Sequence, residues 1–117
     1  MHHSPETISE RVARDQSTFR EANEQIERSV TRFVEIDPMP FICECPRRDC
    51  IGFGRLLLEE YETIRHDGRR FLVLPGHEIC EVGGKAVARV VERGPLFSVM
   101  EDVGEAARVA RQLDPRQ

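Results

Sequence analysis

The stretch Cys43-Glu-Cys45-Pro-Arg-Arg-Asp-Cys50 places three cysteines within eight residues, and a Pro-Gly-His turn follows at 75–77. Thiolate and imidazole are the ligands that Zn²⁺ prefers in tetrahedral protein sites, so this C-x-C-x4-C pattern with a later histidine predicts one metal site. We expect Cys43, Cys45, Cys50 and His77 to be the ligands and Zn²⁺ to be the metal. Four protein ligands close such a site, which is typical of a structural role.

Other interpretations of the same residues stay open from the sequence alone. Cys80 is the rival fourth ligand, and a water in place of His77 would leave an open position suited to a metal-dependent hydrolase. The cysteines could also be reduced residues with only a structural role, or take part in redox chemistry. A third alternative is a nucleophilic thiol–imidazole pair of Cys50 or Cys80 with His77. No further catalytic motif surrounds these residues. The consecutive carboxylates around Glu59 and His66 indicate a solvated helix face, and we therefore expect no enzyme.

Length and composition narrow the class of protein. The 117 residues predict a single domain, 1–117. Hydrophobic residues make up 39% and aromatic residues 6%, a lean supply for a core, so a metal brace is plausible on physical grounds. The net charge of -4 argues against a general nucleic-acid binder. The arginines at 47–48 and 69–70 keep one alternative open, a zinc-knuckle nucleic-acid or ribosome-associated factor.

The absence of targeting signals in the sequence predicts a cytoplasmic location. No stretch approaches the length of an apolar membrane span, and the first twenty residues lack an apolar run, so we expect neither a membrane segment nor a signal peptide. Thiols stay reduced in the cytosol, where clustered cysteines serve more often as ligands than as disulfides. His2 and His3 form a separate N-terminal motif that can bind Cu²⁺ or Ni²⁺.

The N-terminal part of the chain predicts one long helix over residues 4–34. Ser4-Pro5-Glu6 is a helix start signal, and Glu24 and Arg28 are spaced as a surface ion pair. Apolar residues recur seven apart at Val12, Phe19, Ile26 and Phe33. This periodicity favours an amphipathic helix lying on a sheet, and the alternative is a homodimer through a coiled coil of this helix.

The remaining chain, 41–113, predicts a metal-binding α+β core with a mainly antiparallel sheet. Gly52 and Gly54 indicate a bulge or a close backbone approach. We expect a loop at 78–85. The expected strands are 41–45, 51–58, 71–74, 86–92 and 96–100, and the expected helices are 58–66 and 101–113.

Several of these segments resemble a family of small, uncharacterised actinobacterial proteins. The resemblance rests on the segments 41–45, 58–65, 70–78 and 89–93 together with Cys50, and it covers roughly residues 15–105. It implies that Cys43, Cys45, Cys50 and His77 form the ligand set and that Cys80 stands outside it. The family implies no activity.

The sequence therefore predicts a small zinc-binding protein that acts as a protein-interaction or regulatory module. The rigid knuckle at 46–49 and the long helix would meet a protein partner whose identity the sequence does not show.

Overall fold

The computed structural model describes residues 5–30 and 37–116, with the side chain of Val30 excepted. The predicted α+β class with antiparallel sheets is confirmed. Helices in the described residues are α1 (Ile8–Val30), α2 (Leu58–Arg65) and α3 (Gly104–Gln112). The strands are β1 (Met39–Ile42), β2 (Phe53–Leu56), β3 (Arg70–Val73), β4 (Glu81–Val82), β5 (Lys85–Ala86), β6 (Ala88–Arg93) and β7 (Ser98–Asp102).

Helix α1 begins later than its start signal suggested. Ser4 lies outside the described residues, and Pro5 and Glu6 precede the helix. The N-cap is Thr7, whose Oγ1 accepts a hydrogen bond from Glu10 N (3.0 Å), while Thr7 N donates to Glu10 Oε1 (3.3 Å). This reciprocal capping box satisfies backbone donors that a helix start otherwise leaves unpaired. The helix therefore begins after Thr7, and not at the Ser4-Pro5-Glu6 signal.

The long helix packs on the core, and much of its packed face is polar. Val12 lies in one apolar cluster and Ile26 packs against another, so two positions of the heptad are used within the chain itself. Phe33 lies outside the described residues. This packing supports the helix-on-core interpretation. The polar residues buried on the same helix are Ser9, Gln16, Ser17, Arg20, Asn23, Glu24 and Glu27.

A three-stranded antiparallel sheet forms the centre of the molecule in the order β3-β7-β6. All five residues of β7 are buried. Glu101 and Asp102 belong to this strand, although the sequence placed them at the start of the last helix, which begins at Gly104. Glu101 is buried because arginines from the neighbouring strands pair with it, including Arg70 (3.2 Å) and Arg89 (2.5 Å).

Two hairpins accompany this sheet. Strands β1 and β2 pair antiparallel as predicted, but β1 begins at Met39 and ends at Ile42, so Cys43 to Cys45 lie beyond its end. The segment expected to be a loop at 78–85 instead contains the paired strands β4 and β5 around Gly83-Gly84. A Gly-Gly pair is a favoured two-residue hairpin turn, and this signal was missed.

No helix in the described part of the chain is both long enough and apolar enough to cross a bilayer. The single-domain assignment for 1–117 stays a prediction.

Candidate metal centre

Four side chains meet where the first hairpin approaches the bend after β3. The Sγ atoms of Cys43, Cys45 and Cys50 and a ring nitrogen of His77 all lie within 4.8 Å of one another. The His77 Nδ1 atom lies 3.7 Å from Cys43 Sγ, 3.9 Å from Cys45 Sγ and 3.6 Å from Cys50 Sγ. Nδ1 is therefore the ring nitrogen that faces all three sulfurs.

The hairpin positions the cysteines through its turn. Cys43 N–H donates to Gly52 O (2.9 Å), which continues the β1–β2 pairing one step past the strands. The intervening knuckle closes where Cys50 N–H donates to Arg47 O (3.0 Å), and this bond returns Cys50 towards Cys43 and Cys45. The turn is thus compact enough to bring all three sulfurs to one side.

A tight turn positions His77. Residues 74–77 form a β-turn closed by a hydrogen bond from His77 N–H to Leu74 O (2.9 Å). Proline at the second position fixes its φ, and the third position needs a positive φ, which Gly76 supplies at 89°. The Pro-Gly pair before the histidine therefore aims its ring back at the hairpin.

Gly52 permits the close approach of the two parts of the site. A Cβ atom at this position would lie 2.5 Å from Leu74 Cδ1, 3.7 Å from Cys50 Sγ and 3.8 Å from His77 Cε1. The first of these distances is shorter than any stable carbon–carbon contact. All three close neighbours of Gly52 are side-chain atoms, so the close approach here is of side chains to the glycine backbone, at the edge of the cluster.

Backbone donors point at each sulfur. Leu74 N–H donates to Cys43 Sγ (3.3 Å), Arg47 N–H reaches Cys45, and Gly52 N–H reaches Cys50. Such donors stabilise negative charge on sulfur, as hydrogen bonds to a charged group favour that form. The site is therefore arranged for thiolates.

The protonation of the cluster is uneven. A hydrogen bond with Cys43 lowers the pKa of the Cys45 thiol to about 5, and the same contact raises the pKa of Cys43. Burial raises the pKa of Cys50. One sulfur ionises readily, and a metal ion bound here would have to displace the protons from the other two. Metal binding at this site would therefore release protons.

The dimensions of the cluster fit a tetrahedral ion. Zn–S bonds of ~2.3 Å and a Zn–N bond of ~2.0 Å at tetrahedral angles place sulfur and nitrogen ~3.5 Å apart. The observed Sγ to Nδ1 distances of 3.6–3.9 Å lie close to and slightly above this separation. The donors are three sulfurs and one imidazole, a set found in structural zinc sites.

Cys80 is exposed and does not belong to the group of four. Its carbonyl oxygen accepts hydrogen bonds from Val87 N–H (2.8 Å) and Ala88 N–H (3.3 Å), which fix it beside β6 instead. None of the four cysteines, all within the described residues, forms a disulfide. The geometry therefore favours His77 over Cys80 as the fourth ligand.

Sequence reasoning missed the residue between the first two cysteines. The side chain of Glu44 is fully buried. It accepts hydrogen bonds from Asn23 Nδ2 (2.9 Å), Tyr61 Oη (2.8 Å) and Leu72 N (2.8 Å). Alternation along an extended segment was the available signal, since a residue between two same-face cysteines points the other way. Glu44 thereby ties the cysteine segment to α1, α2 and β3.

Comparison with known protein families, curated proteins and solved structures finds no match. The resemblance to actinobacterial proteins therefore stays a prediction. The clustered Cys43, Cys45, Cys50 and His77 define a candidate metal centre on their geometry alone.

Proposed function

We propose that this chain is a small zinc-binding protein whose Cys3His site has a structural role, and that it acts as a protein-interaction module and not as an enzyme. The observation that carries the proposal is the convergence of Cys43, Cys45, Cys50 and His77 within 4.8 Å. Zn²⁺ is the metal best suited to three thiolates and one imidazole.

A structural role follows from the number of donors. His77 Nδ1 would take the fourth position around the ion, which would leave no position for a reacting water. Cys43 and Cys45 are fully buried and belong to an apolar cluster that includes Val73 and Met100. The metal would therefore brace the hairpin against the sheet, where it adds to a limited apolar core.

The interaction role rests on what the braced hairpin exposes. Ile51, directly after Cys50, is 94% exposed, and Phe53, two positions further along, is 59% exposed. Large apolar side chains fixed in water on a rigid turn are typical of surfaces that meet a partner.

Elemental analysis of tag-free protein tests the metal assignment. We expect one zinc per chain in the wild type, in the Cys80→Ser variant and in a variant with His2 and His3 replaced by alanine. Cys50→Ser and His77→Ala should lose the zinc or hold it much more weakly against a chelator. Cys80→Ser is the matched control, because it removes a thiol that lies outside the cluster.

Two outcomes would overturn the assignment. Full zinc binding by His77→Ala would show that the histidine is not a ligand, and zinc lost on Cys80→Ser would place the fourth ligand elsewhere. Purified protein without metal that folds normally would remove the structural role itself.

A second candidate function is a zinc-knuckle nucleic-acid or ribosome-associated factor. Arg47 and Arg55 are exposed and form no ion pair with a described residue, and Phe53 lies between them in the chain. Exposed aromatic rings beside arginines are features of single-strand binding surfaces. Salt-dependent RNA binding that falls in Arg47→Ala and Arg55→Ala would favour this function, and no binding at physiological ionic strength would exclude it.

A further inference from the structure

Buried polar atoms without a hydrogen bond are concentrated on the first half of α1, residues 8–17. Within the described residues, three such atoms are Ser9 Oγ, Gln16 Oε1 and Ser17 Oγ. A fourth is Asp102 Oδ2 on β7, and the other carboxyl oxygen of Asp102, Oδ1, accepts a hydrogen bond from Gln16 Nε2 (2.9 Å). A polar atom that loses water without gaining a partner destabilises the contact in which it is buried. The first half of α1 is therefore held less firmly than its burial suggests.

The second half of the helix, residues 20–27, has stronger polar contacts with the rest of the fold. Asn23 donates to Ile42 O (2.7 Å) and accepts from Ile42 N (2.7 Å). Glu24 pairs with the buried Arg65 (2.6 Å). In the first half, the buried hydrogen bond to another element is that of Gln16. The two halves of α1 are thus attached unequally.

The unpaired atoms of Gln16 and Asp102 complement each other only when the Asp102 carboxyl holds a proton. In the ionised state Gln16 Oε1 and Asp102 Oδ2 are both acceptors, so neither can satisfy the other. A protonated carboxyl has one O–H donor, and an O–H at Oδ2 can donate to Gln16 Oε1 while Gln16 Nε2 donates to Oδ1. The acid and the amide then form a ring closed by two hydrogen bonds.

The charged groups around Asp102 leave its carboxyl without a strong cationic partner. Burial raises the pKa of Asp102 to about 7, and the guanidinium of Arg20 on α1 opposes this rise only in part. Before β3, the carbonyl oxygen of Arg69 accepts from Asp102 N–H (2.9 Å), but the Arg69 guanidinium pairs with other carboxylates. Helix α3 adds a charge of the same sign, Glu105, and β6 places the neutral Ala88 opposite Asp102. The surroundings therefore favour the neutral carboxyl below pH 7.

We propose that Asp102, protonated and paired with Gln16, forms a pH-sensitive contact that holds the first half of α1 on the sheet and opens as the pH rises. An ionised Asp102 would turn a buried negative charge towards the Gln16 carbonyl oxygen, so the closed contact loses one hydrogen bond and gains a repulsion. Opening is local, because the polar contacts of the second half do not involve Asp102. It uncovers Val12, which belongs to the same apolar cluster as Cys43.

The direction of the pH effect follows from the two states of the carboxyl. A solvated aspartate has a pKa of ~3.9, whereas Asp102 in the closed contact has a pKa of about 7. Opening therefore releases a proton and becomes easier as the pH rises from about 4 to about 7, with little further change at higher pH. Between pH 6 and pH 8 the opening constant should rise about tenfold. The step requires no metal.

Hydrogen–deuterium exchange of the full chain at pH 6 and pH 8 tests the proposal. Rates are expressed as protection factors, so the intrinsic pH dependence of exchange cancels, and zinc content is measured in the same samples. At pH 8 we expect lower protection in residues 12–18 than in residues 23–28, because the first half opens locally. Lowering the pH to 6 should raise the protection of residues 12–18 about tenfold. Equal protection in the two halves would mean that α1 opens only with the whole fold, which would overturn the proposal.

Three variants assign the pH response to this contact. Asp102→Asn supplies an amide that can donate to Gln16 Oε1 without a titratable proton, so residues 12–18 should be protected equally at pH 6 and pH 8. Gln16→Met removes the amide at similar side-chain length and should lower their protection at pH 6. Glu105→Gln is the matched control, because it removes a carboxylate from the neighbouring helix, and it should leave the pH response in place.

The ¹³C shift of the Asp102 carboxyl in the wild type gives a readout that depends on neither variant folding nor stability. It should titrate with a midpoint near pH 7, and a midpoint near the ordinary value of ~3.9 would overturn the proposal. A pH response that persists in Asp102→Asn, or one that Glu105→Gln abolishes, would also overturn it. Because the metal takes no part, these results leave the proposed function to its own test.

Discussion

The two ends of this fold are held together by different chemistry. At one end, three thiols and an imidazole from Cys43 to His77 gather around a space suited to one ion. At the other end, buried Arg65 pairs with Glu24 (2.6 Å) from α1 and with Asp114, which follows α3. On the proposed function the thiol site would depend on an added ion, whereas the arginine site consists of charges that the chain itself supplies. The comparison teaches that a small core can be completed by either route.

The arginine site extends over a second buried cation. Arg20 is fully buried and donates to Gly68 O (2.6 Å) and Ala110 O (2.8 Å), with its guanidinium 4.5 Å from the centre of the Phe71 ring. Arg116 adds a partly exposed bridge to Glu24 (2.9 Å). Helix α1 is therefore fixed to its neighbours by directional polar contacts more than by apolar packing.

Metal removal should lower the free energy of unfolding more than any other change, and it acts only on the end that contains the thiols. We expect chelation under reducing conditions to lower the free energy of unfolding by about 5 kcal/mol or more, because zinc binding and folding are linked. Denaturant unfolding of loaded and stripped protein measures this difference. The Cys80→Ser variant should behave like the wild type in both states, and an unchanged unfolding curve after stripping would contradict the brace.

Breaking the arginine site should have the next largest effect. Arg65→Ala removes the buried partner of Asp114 and leaves Glu24 with only the partly exposed Arg116, so we expect a loss of about 3–5 kcal/mol. Arg48→Ala is the matched control, since the Arg48 side chain that pairs with Asp15 is 65% exposed and the pair should contribute less than about 1 kcal/mol. Equal losses in the two variants would mean that burial does not distinguish the pairs. Zinc content should stay at one per chain in both variants.

Glu44 links the two ends, and its replacement should affect both. In Glu44→Gln an amide NH2 would face donors from Asn23, Leu72 or Tyr61, which should cost about 1–3 kcal/mol. We also expect weaker zinc binding in a chelator competition, although Glu44 is not itself a candidate ligand. Tyr61→Phe removes one donor without creating a clash and should cost less. Normal zinc affinity in Glu44→Gln would show that the two ends are independent.

Asp102 should reveal a buried carboxylate that opposes folding at high pH. Burial raises its pKa to about 7, and Gln16 Nε2 donates to one oxygen (2.9 Å) while the other has no partner. A raised folded-state pKa gives stability that is present at acid pH and is lost as the pH rises through 4 to 7. Asp102→Asn should therefore flatten this decline and stabilise the protein by about 1 kcal/mol or more at pH 8.

Asp67→Asn is the control with the opposite sign. Hydrogen bonds from Arg69 lower the pKa of Asp67 to about 2, so its contribution is present at neutral pH and is lost only in strong acid. Replacing it should lower stability slightly at pH 8. A pH profile unchanged by Asp102→Asn would show that this carboxyl is not buried in solution.

The sequence indicated one end of the molecule much better than the other. Ligand chemistry is visible in a linear pattern, because Cys43, Cys45 and Cys50 are close in the chain and a Pro-Gly turn marks His77. The arginine site has no such pattern, because its partners come from distant segments. Glu24 was expected on the surface beside Arg28, and tertiary packing buried it against Arg65 instead.

The predicted boundary between the last strand and the last helix was wrong for a related reason. Glu101 and Asp102 have helix-compatible residue types, and the sequence gives no sign that Arg70 and Arg89 neutralise one of them inside the sheet. The hairpin around Gly83-Gly84 was, in contrast, readable from its turn residues. Charge pairs between residues that are distant in the chain therefore could not be predicted from the local sequence.

X-ray absorption at the zinc edge of freshly purified, tag-free protein tests the central claim most directly. Our account predicts a first shell of three sulfurs at ~2.3 Å and one nitrogen at ~2.0 Å, which changes on His77→Ala and not on Cys80→Ser. A shell of four sulfurs, a shell with an oxygen in place of the nitrogen, or protein with no bound metal would contradict it.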